Sequence, residues 1–262
     1  MISSNVKTIQ KSFTEQAKSF ETKSMNFTKQ EYLKHMVSCV NPQNTDTVLE
    51  VAAGTCVCGR SFAPFVQNII CLDMTPAMLA VGKGEAEKQG LCNIDFMQGD
   101  AEKLTFEDNS FDIVISRLAF HHFSNPKQCF SEMARVLKPG GKLVVIDMEA
   151  AEEVLRNTED EIETLRDSSH MRNLSKEEFA AMFRENHLTI TTMDCTEIPV
   201  SLTAWLALTN TPVEISENIS KRFANEIIGS YLTGFHPYQK DGEIYFNQRW
   251  VMMIGEKNIS GN

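Results

Sequence analysis

Short, continuously apolar runs alternate with stretches whose apolar residues recur every three or four positions through the first two thirds of the chain. The runs are typical of strands buried on both faces, and the stretches between them are typical of helices that cover a sheet. The predicted strands span 48–51, 69–72, 94–97, 111–116 and 142–146, and the predicted helices span 60–66, 77–89 and 126–137. This alternation predicts a doubly wound α/β fold, with a parallel sheet between two layers of helices.

Local signals mark several of the element boundaries. Thr75-Pro76 predicts an N-cap followed by proline in the first turn of a helix. Lys138-Pro139-Gly140-Gly141 predicts the end of the third helix and a turn into the next strand.

The last third of the chain has a different character. Ser175 to Glu178 forms a capping box that predicts a helix through Glu185. Further helices are predicted at 160–166, 202–208 and 219–232, and further strands at 188–194 and 243–255. The predicted divisions are an N-terminal helical cap (1–45), a core (46–198), a helical insertion (199–240), the final core strand (241–256) and a disordered tail (257–262). The insertion is interpreted as a lid over a ligand pocket or as an appendage with a small core of its own.

Charge and composition narrow the class of protein. The 262 residues carry a net charge of -10, with 42% hydrophobic and 23% charged residues. These values fit an ordinary globular protein and argue against a nucleic-acid partner, which needs clustered Lys and Arg. The sequence lacks an apolar run of the roughly 18–20 residues that span a bilayer, and its first residues are polar, so a cytoplasmic location is expected.

The seven cysteines form no recognisable framework, and free thiols are expected. Cys56 and Cys58 form a C-x-C pair without a second pair at metal-ligand spacing. We therefore interpret both as packing residues and predict no metal site.

Polar and small residues follow four of the predicted strands. Glu50 and the turn Ala53-Gly54-Thr55 follow the first strand, Asp73 the second, Asp100 the third, and 116–123 the fourth. In an open parallel sheet, ligands bind at the carboxyl ends of the strands, where all four sets would meet. A carboxylate at Asp73 can accept hydrogen bonds from both hydroxyls of a ribose, and Asp100 can read the edge of an adenine.

Five segments together resemble the class I S-adenosylmethionine-dependent methyltransferases, most closely the branch with the ubiquinone/menaquinone-biosynthesis enzymes. They are Val48 to Gly54, Asp73-Met74-Thr75, Gly99 to Leu104, Asp108 to Asp112 and Arg135 to Gly141. The resemblance spans residues 47–147. It implies a Rossmann-like sheet of seven strands with an antiparallel last strand, S-adenosyl-L-methionine as cofactor, and methyl transfer. The predicted lid favours a small, partly apolar acceptor.

The resemblance also implies residue roles at the cofactor site. Ala52, Ala53 and Gly54 would lie under the methionine part, Asp73 would hold the ribose, and Met74 would lie against the adenine. The other implied contacts are Asp100 and Ala101 at the adenine amino group, Arg117 at the donor site, and Phe13 and Phe20 on an N-terminal helix that closes over the cofactor. Glu50 replaces the commoner Asp of this branch.

Two further departures from the family concern the turn itself. Ala52 and Cys56 stand where the family more often has glycine. We expect Ala52 to be the easier replacement, because its backbone need not be left-handed. The Cys56 thiol must fit where a side chain is unusual.

The acceptor side is less defined by sequence. His121 and His122 either face the substrate as a base or pack at the start of a helix. His170 and Trp205 are candidates for the acceptor pocket, and Arg172 either binds an anionic group or is a solvated surface residue. Two other functions remain open. One is a cofactor-binding regulator without turnover, and the other is a nucleotide-dependent oxidoreductase, against which the missing G-x-G-x-x-G argues.

Overall fold

The computed structural model describes residues 4–17, 20–23 and 28–259. The helices are α1 (Ser4–Gln16), α2 (Phe20–Lys23), α3 (Gln30–Val40), α4 (Val57–Phe62), α5 (Pro76–Lys88), α6 (Pro126–Val136), α7 (Arg156–Arg166), α8 (Lys176–Glu185), α9 (Leu202–Leu208) and α10 (Val213–Ile227). The strands are β1 (Thr47–Val51), β2 (Asn68–Asp73), β3 (Ile94–Gln98), β4 (Phe111–Arg117), β5 (Leu137–Met148), β6 (Leu188–Ser201), β7 (Tyr238–Lys240) and β8 (Glu243–Lys257). Short 3-10 turns cover Ala63–Phe65 and Phe120–His122.

The strands form one sheet in the order β3-β2-β1-β4-β5-β8-β6. The first five are parallel, whereas β8 lies antiparallel between β5 and β6. β7 adds a short eighth strand beside β8. The doubly wound sheet with an antiparallel final strand is therefore confirmed.

Helices cover both faces of this sheet. On β1, Val48 belongs to the hydrophobic cluster that includes residues of α3, α4, α9 and α10, and its neighbour Leu49 belongs to the cluster that includes residues of α6 and α8. Both side chains are fully buried. Burial on both faces explains why the strands read as uninterrupted apolar runs.

Two boundaries in the core differ from the predicted ones. The helix predicted at 60–66 begins at Val57, because the chain enters it directly from the left-handed Cys56. The predicted turn at Lys138 to Gly141 lies inside β5 as an irregularity: Leu137 pairs with Phe111, and pairing resumes at Lys142 with Ile113. Gly140 has a φ of 76°, which permits this excursion of the backbone.

In the last third of the chain, the observed boundaries of helices and strands differ more from the predicted ones. The strand predicted to end at Asp194 runs to Ser201, because it pairs with β8 along its whole length. The helix predicted at 219–232 spans Val213–Ile227, between Pro212 at its N-cap and Gly229 with a φ of 77°. Lys257, predicted to open the tail, is the last residue of β8, and 260–262 lie outside the described residues.

The topology places the carboxyl ends of β1, β2, β4 and β5 along one edge of the sheet. Helix α1 lies across this edge, where the side-chain amide of Gln10 donates to the carbonyl of Met74 at 2.9 Å. Among the described residues, the longest apolar helices fall short of what a membrane span requires.

Candidate functional site

A cavity opens at this edge of the sheet. About 1410 Å³ lies between its walls, including space open to solvent. The walls come from α1, α2 and α9, from the turns after β1, β2, β3 and β4, from the end of β5, and from the end of α7. The cavity therefore joins the strand-end turns of the sheet to helices on both sides of them.

The turn after β1 contains three residues in the left-handed region. They are Ala52 (φ 54°), Gly54 (φ 54°) and Cys56 (φ 60°). The expectation that Ala52 avoids this region is wrong, and a residue with a Cβ pays roughly 1–2 kcal/mol there. Backbone hydrogen bonds hold the turn, since the amide of Ala53 donates to the carbonyl of Leu72 at 2.9 Å and that of Cys56 to Ala53 at 2.7 Å.

The thiol of Cys56 fits because of a glycine on α5. A Cβ at Gly82 would lie 2.9 Å from the Sγ of Cys56 and 2.7 Å from the carbonyl of Thr55. Cys56 and Cys58 are both buried. The described residues contain no group of three or more His, Cys, Asp or Glu that is arranged to hold a metal ion.

Glu50 ties the end of β1 to α4, the helix that follows the turn. Its carboxylate accepts the amide of Gly59 at 2.7 Å and the thiol of Cys71 at 3.4 Å, and the side chain is buried. Burial raises the pKa of Glu50 to about 7. A Cβ at Gly59 would lie 2.9 Å from this carboxylate, so glycine permits the close approach.

Asp73 links the turns after β1 and β2. Its Oδ2 accepts the amide of Gly54 at 2.8 Å, and its Oδ1 accepts the amide of Thr75 at 2.7 Å. Burial raises the pKa of Asp73 above its usual range, against the effect of these hydrogen bonds. The carboxylate is thereby fixed on the cavity wall, where it can accept hydrogen bonds from the two hydroxyls of a diol.

The wall beyond Asp73 is made by Met74, Gly99 and Ala101. The structure does not bring Asp100 to this wall. Its side chain is exposed, and it accepts the amide of Glu102 at 2.9 Å, which closes a local turn. The predicted contact through the Asp100 carboxylate is thus not seen at the wall, where Ala101 is the lining residue, and Oδ1 of Asp100 is engaged by the amide of Glu102.

Arg117 and Thr55 each bring to the cavity wall a buried polar atom without a hydrogen-bond partner among the residues that the structure describes. Arg117 Nη2 and Thr55 Oγ1 are buried and make no hydrogen bond with any described residue. The guanidinium of Arg117 lies over the ring of Trp250, with its central carbon 5.1 Å from the ring centroid. Both residues line the cavity, so a bound anionic group would satisfy atoms that are otherwise costly to bury.

The N-terminal helices α1 and α2 close one side of the cavity. Phe13 and Phe20 line it, with ring centroids 6.4 Å apart. The ring of Phe13 also meets the imidazole of His122 edge-on at 5.1 Å. Phe13 therefore touches both the donor and the histidine side of the cavity.

The 3-10 turn after β4 brings His121 and His122 to the wall. His121 Nδ1 lies 2.5 Å from Asp147 Oδ1 at the end of β5, and His122 Nδ1 lies 3.0 Å from the carbonyl oxygen of Ser169. Their ring centroids are 4.1 Å apart.

Of the three predicted acceptor residues, Trp205 alone lines the cavity. His170 is buried behind the wall, with Nε2 2.9 Å from Asp160 Oδ1. Arg172 is half-exposed and pairs with Glu178. The structure therefore does not place His170 and Arg172 at the acceptor pocket, because both side chains are held by nearby carboxylates.

Sequence reasoning missed three polar residues of the cavity region: Asp147, Arg166 and Asp167. Asp147 ends an apolar strand, which is the same signal that identified Asp73. Arg166 is the last residue of α7 and Asp167 follows it. Both line the cavity, where Arg166 stacks on Trp205 with 4.4 Å between its central carbon and the ring centroid. No local pattern distinguishes them, because their position depends on how α7 packs.

Comparison with known proteins agrees with this geometry. Residues 49–145 match the family model described as a methyltransferase domain. The chain is 35% identical over 194 residues to the uncharacterized methyltransferase YcgJ of Bacillus subtilis, which covers 74% of this chain and 77% of that protein. It is 37% identical over 115 residues to the ubiquinone/menaquinone biosynthesis C-methyltransferase UbiE of Ectopseudomonas mendocina, covering 42% of this chain and 44% of that protein.

Solved structures extend the likeness beyond the matched domain. The crystal structure of the Bacillus YcgJ protein superposes with a TM-score of 0.81 at 31% identity, over 88% of this chain and 100% of that one. A putative methyltransferase from Bacillus halodurans gives a TM-score of 0.81 at 29% identity, over 87% and 100% of the two chains. The fold, the cavity at the sheet edge and these relatives together show that the chain belongs to the class I S-adenosylmethionine-dependent methyltransferases.

Proposed function

We propose that the protein transfers the methyl group of S-adenosylmethionine to a small, partly apolar molecule by in-line displacement. The observation that carries this proposal is one cavity whose wall includes both the strand-end turn at Asp73 and the histidines after β4. The same wall includes a set of apolar side chains: Leu118, Phe123, Met148, Trp205 and Leu208. The net charge of -10 disfavours a nucleic-acid acceptor.

The residues of the donor edge fit the cofactor in their chemistry. In this proposal Asp73 accepts the ribose hydroxyls, while Met74 and Ala101 contact the adenine. Gly54 and Ala52 let the backbone approach the methionine part, and Arg117 with Thr55 receives its carboxylate. Phe20 covers the site from α2. Asp100 has no direct role, because it lies off the wall.

The chain's contribution to catalysis is positioning and the exclusion of water. The cofactor supplies a methyl group that is already activated by the positive sulfonium. Aligning an acceptor with the S–CH3 bond in a dry cavity can provide much of the acceleration. The aromatic side chains that line the cavity help to exclude water from it. They are Phe13, Phe20 and Trp205.

Radiolabelled methyl transfer tests the proposal. Purified protein and methyl-labelled cofactor are incubated with dialysable metabolites in one sample and with retained macromolecules in another. Label is expected in the dialysable fraction, and Asp73→Ala should reduce it when the cofactor concentration is below saturation. Label only in macromolecules would overturn the small-molecule acceptor, and tight cofactor binding without any transfer would favour the regulatory alternative. A chiral methyl group should be transferred with inversion, as an in-line displacement requires.

A further inference from the structure

Asp147 is the most densely hydrogen-bonded carboxylate of the cavity region. Its Oδ2 accepts the amides of Ala119 at 3.0 Å and Phe120 at 2.7 Å, and its Oδ1 accepts the amide of Met148 at 2.8 Å. Burial alone would raise the pKa of Asp147, but the His121 charge and these donors hold it below its usual range. Asp147 is therefore an ionised acceptor fixed by the backbone.

The carboxylate of Asp147 determines which ring nitrogen of His121 carries the hydrogen. An ionised carboxylate only accepts, so the Nδ1 of His121 at 2.5 Å carries the hydrogen. Nε2 is left with its lone pair, and it makes no hydrogen bond with a described residue. Since His121 lines the cavity and its Nδ1 is occupied by Asp147, Nε2 is the nitrogen left to meet an acceptor.

His121 also has the basicity for proton transfer. Burial lowers its pKa, but Asp147 outweighs burial, and the pKa lies above the usual 6.5. The other groups that face the ring are the carboxylates Glu163 and Asp167 and the imidazoles of His122 and His170. The acidic neighbours favour the protonated ring, and the imidazoles oppose it.

His122 is unsuited to the same task. Its Nδ1 donates to the carbonyl of Ser169, which fixes the tautomer. Burial, with the charge of His121 beside it, lowers the pKa of His122 to about 3. The ring therefore stays neutral at physiological pH and accepts hydrogen bonds without taking up a proton.

We infer that His121 is the base that removes a proton from the acceptor, that Asp147 is its positioning residue, and that the methylated group is a hydroxyl of phenol or enol type. The inference rests on the proposed function and deepens it. Aromatic amines are neutral at physiological pH and attack through a free lone pair, and thiols ionise near neutral pH, so neither depends on a held base as a phenol does. A phenol ionises near pH 10 and gains from one.

The transfer balances without another reactant. The acceptor oxygen forms the new bond to the methyl carbon, and the S–CH3 electron pair stays on sulfur. The hydroxyl proton passes to Nε2 of His121, giving an imidazolium paired with Asp147. Solvent removes this proton after the products leave.

Nitrogen NMR of isotope-labelled histidine in the complex with S-adenosylhomocysteine tests the dyad without an acceptor. We expect Nδ1 of His121 to stay protonated while Nε2 titrates above pH 6.5. Asp147→Asn should lower this pKa by about one unit or more, whereas Asp160→Asn, which alters the partner of His170, should leave it unchanged. A hydrogen on Nε2 at high pH, or an unchanged pKa in Asp147→Asn, would overturn the assignment.

A matched set of probes tests the acceptor class. 2-Naphthol, 2-naphthylamine and 2-naphthalenethiol share one ring system and differ in the reacting atom. We expect the naphthol to be methylated, at a rate that rises with pH as His121 loses its proton, and His121→Gln to slow the reaction by about 100-fold or more. Methylation of the amine or thiol alone, or equal rates in wild type and His121→Gln, contradicts the inference. Failure of the wild type to bind S-adenosylhomocysteine would instead sink the proposed function.

Discussion

The proposed donor and acceptor sides of the cavity are built in different ways. On the donor side, carboxylates at strand ends bind backbone amides close by in the chain, since Glu50 and Gly59 are 9 residues apart and Asp73 and Gly54 are 19 apart. On the acceptor side, the key contacts join His121 to Asp147 across 26 residues and His122 to Ser169 across 47. The donor side is thus specified locally, and the acceptor side depends on the packing of separate elements.

The largest expected effect comes from the acceptor side. Trp205 is almost fully buried among Phe223, Phe235 and Phe246, with ring centroids 5.2–6.2 Å away. Trp205→Ala should lower the free energy of unfolding by roughly 3–5 kcal/mol, measured in urea. Affinity for S-adenosylhomocysteine should persist at low temperature, where the variant remains folded. A parallel loss of cofactor affinity would show that the two sides are not separable.

The pH dependence of stability compares a buried carboxylate at the donor side with one on α7 that lies outside the cavity wall. Glu50 below the donor turn and Glu159 on α7 both have a pKa of about 7, raised from the usual 4.5 by burial. The folded protein therefore holds protons that the unfolded chain releases, and stability falls as pH rises from about 4.5 to 7, by about 3 kcal/mol per group.

Glu50→Gln and Glu159→Gln should each remove about 3 kcal/mol of the loss in the free energy of unfolding that accompanies the rise in pH. Urea unfolding at pH 5 and pH 8 measures it. Glu50→Gln should also alter cofactor affinity, because Glu50 shapes the donor turn, whereas Glu159→Gln should not. Equal pH dependence in wild type and both variants would contradict the assigned pKa values.

Asp73→Ala tests whether the donor side acts through one carboxylate. Removing charged hydrogen bonds worth about 1.5–3 kcal/mol should weaken S-adenosylhomocysteine binding by at least about tenfold. Asp100→Ala is the matched control, because its exposed side chain lies off the wall, and calorimetry should give a nearly unchanged affinity. Unchanged affinity in Asp73→Ala would remove the ribose assignment.

A smaller and more selective effect is expected at Arg117. Arg117→Met should weaken S-adenosylhomocysteine binding by about tenfold, through the loss of one charged contact. Binding of 5′-methylthioadenosine, which lacks the amino acid part, should not change. Equal losses for both ligands would mean that Arg117 supports the fold of the site and does not read the carboxylate.

The same contrast explains how far the sequence predicts this molecule. The strands of the core and the residues Glu50, Gly54 and Asp73 could be predicted, because apolar runs and the turns that end them are local patterns. The left-handed Ala52 could not, since the hydrogen bonds that impose it come from β2. His170 was misplaced for a related reason: its partner Asp160 is recognisable only once α7 is packed.

The position of β8 has a consequence for biosynthesis. β8 follows β6 in the chain, yet it lies between β5 and β6, and β6 pairs with no other strand in the described part of the chain. Until Lys257 has emerged from the ribosome, the nascent chain therefore exposes an unpaired edge of β5 and an unpaired β6, both open to association with other chains. Completion of the sheet, and with it the cavity wall at Met148 and Gln248, waits until β8 has been synthesised.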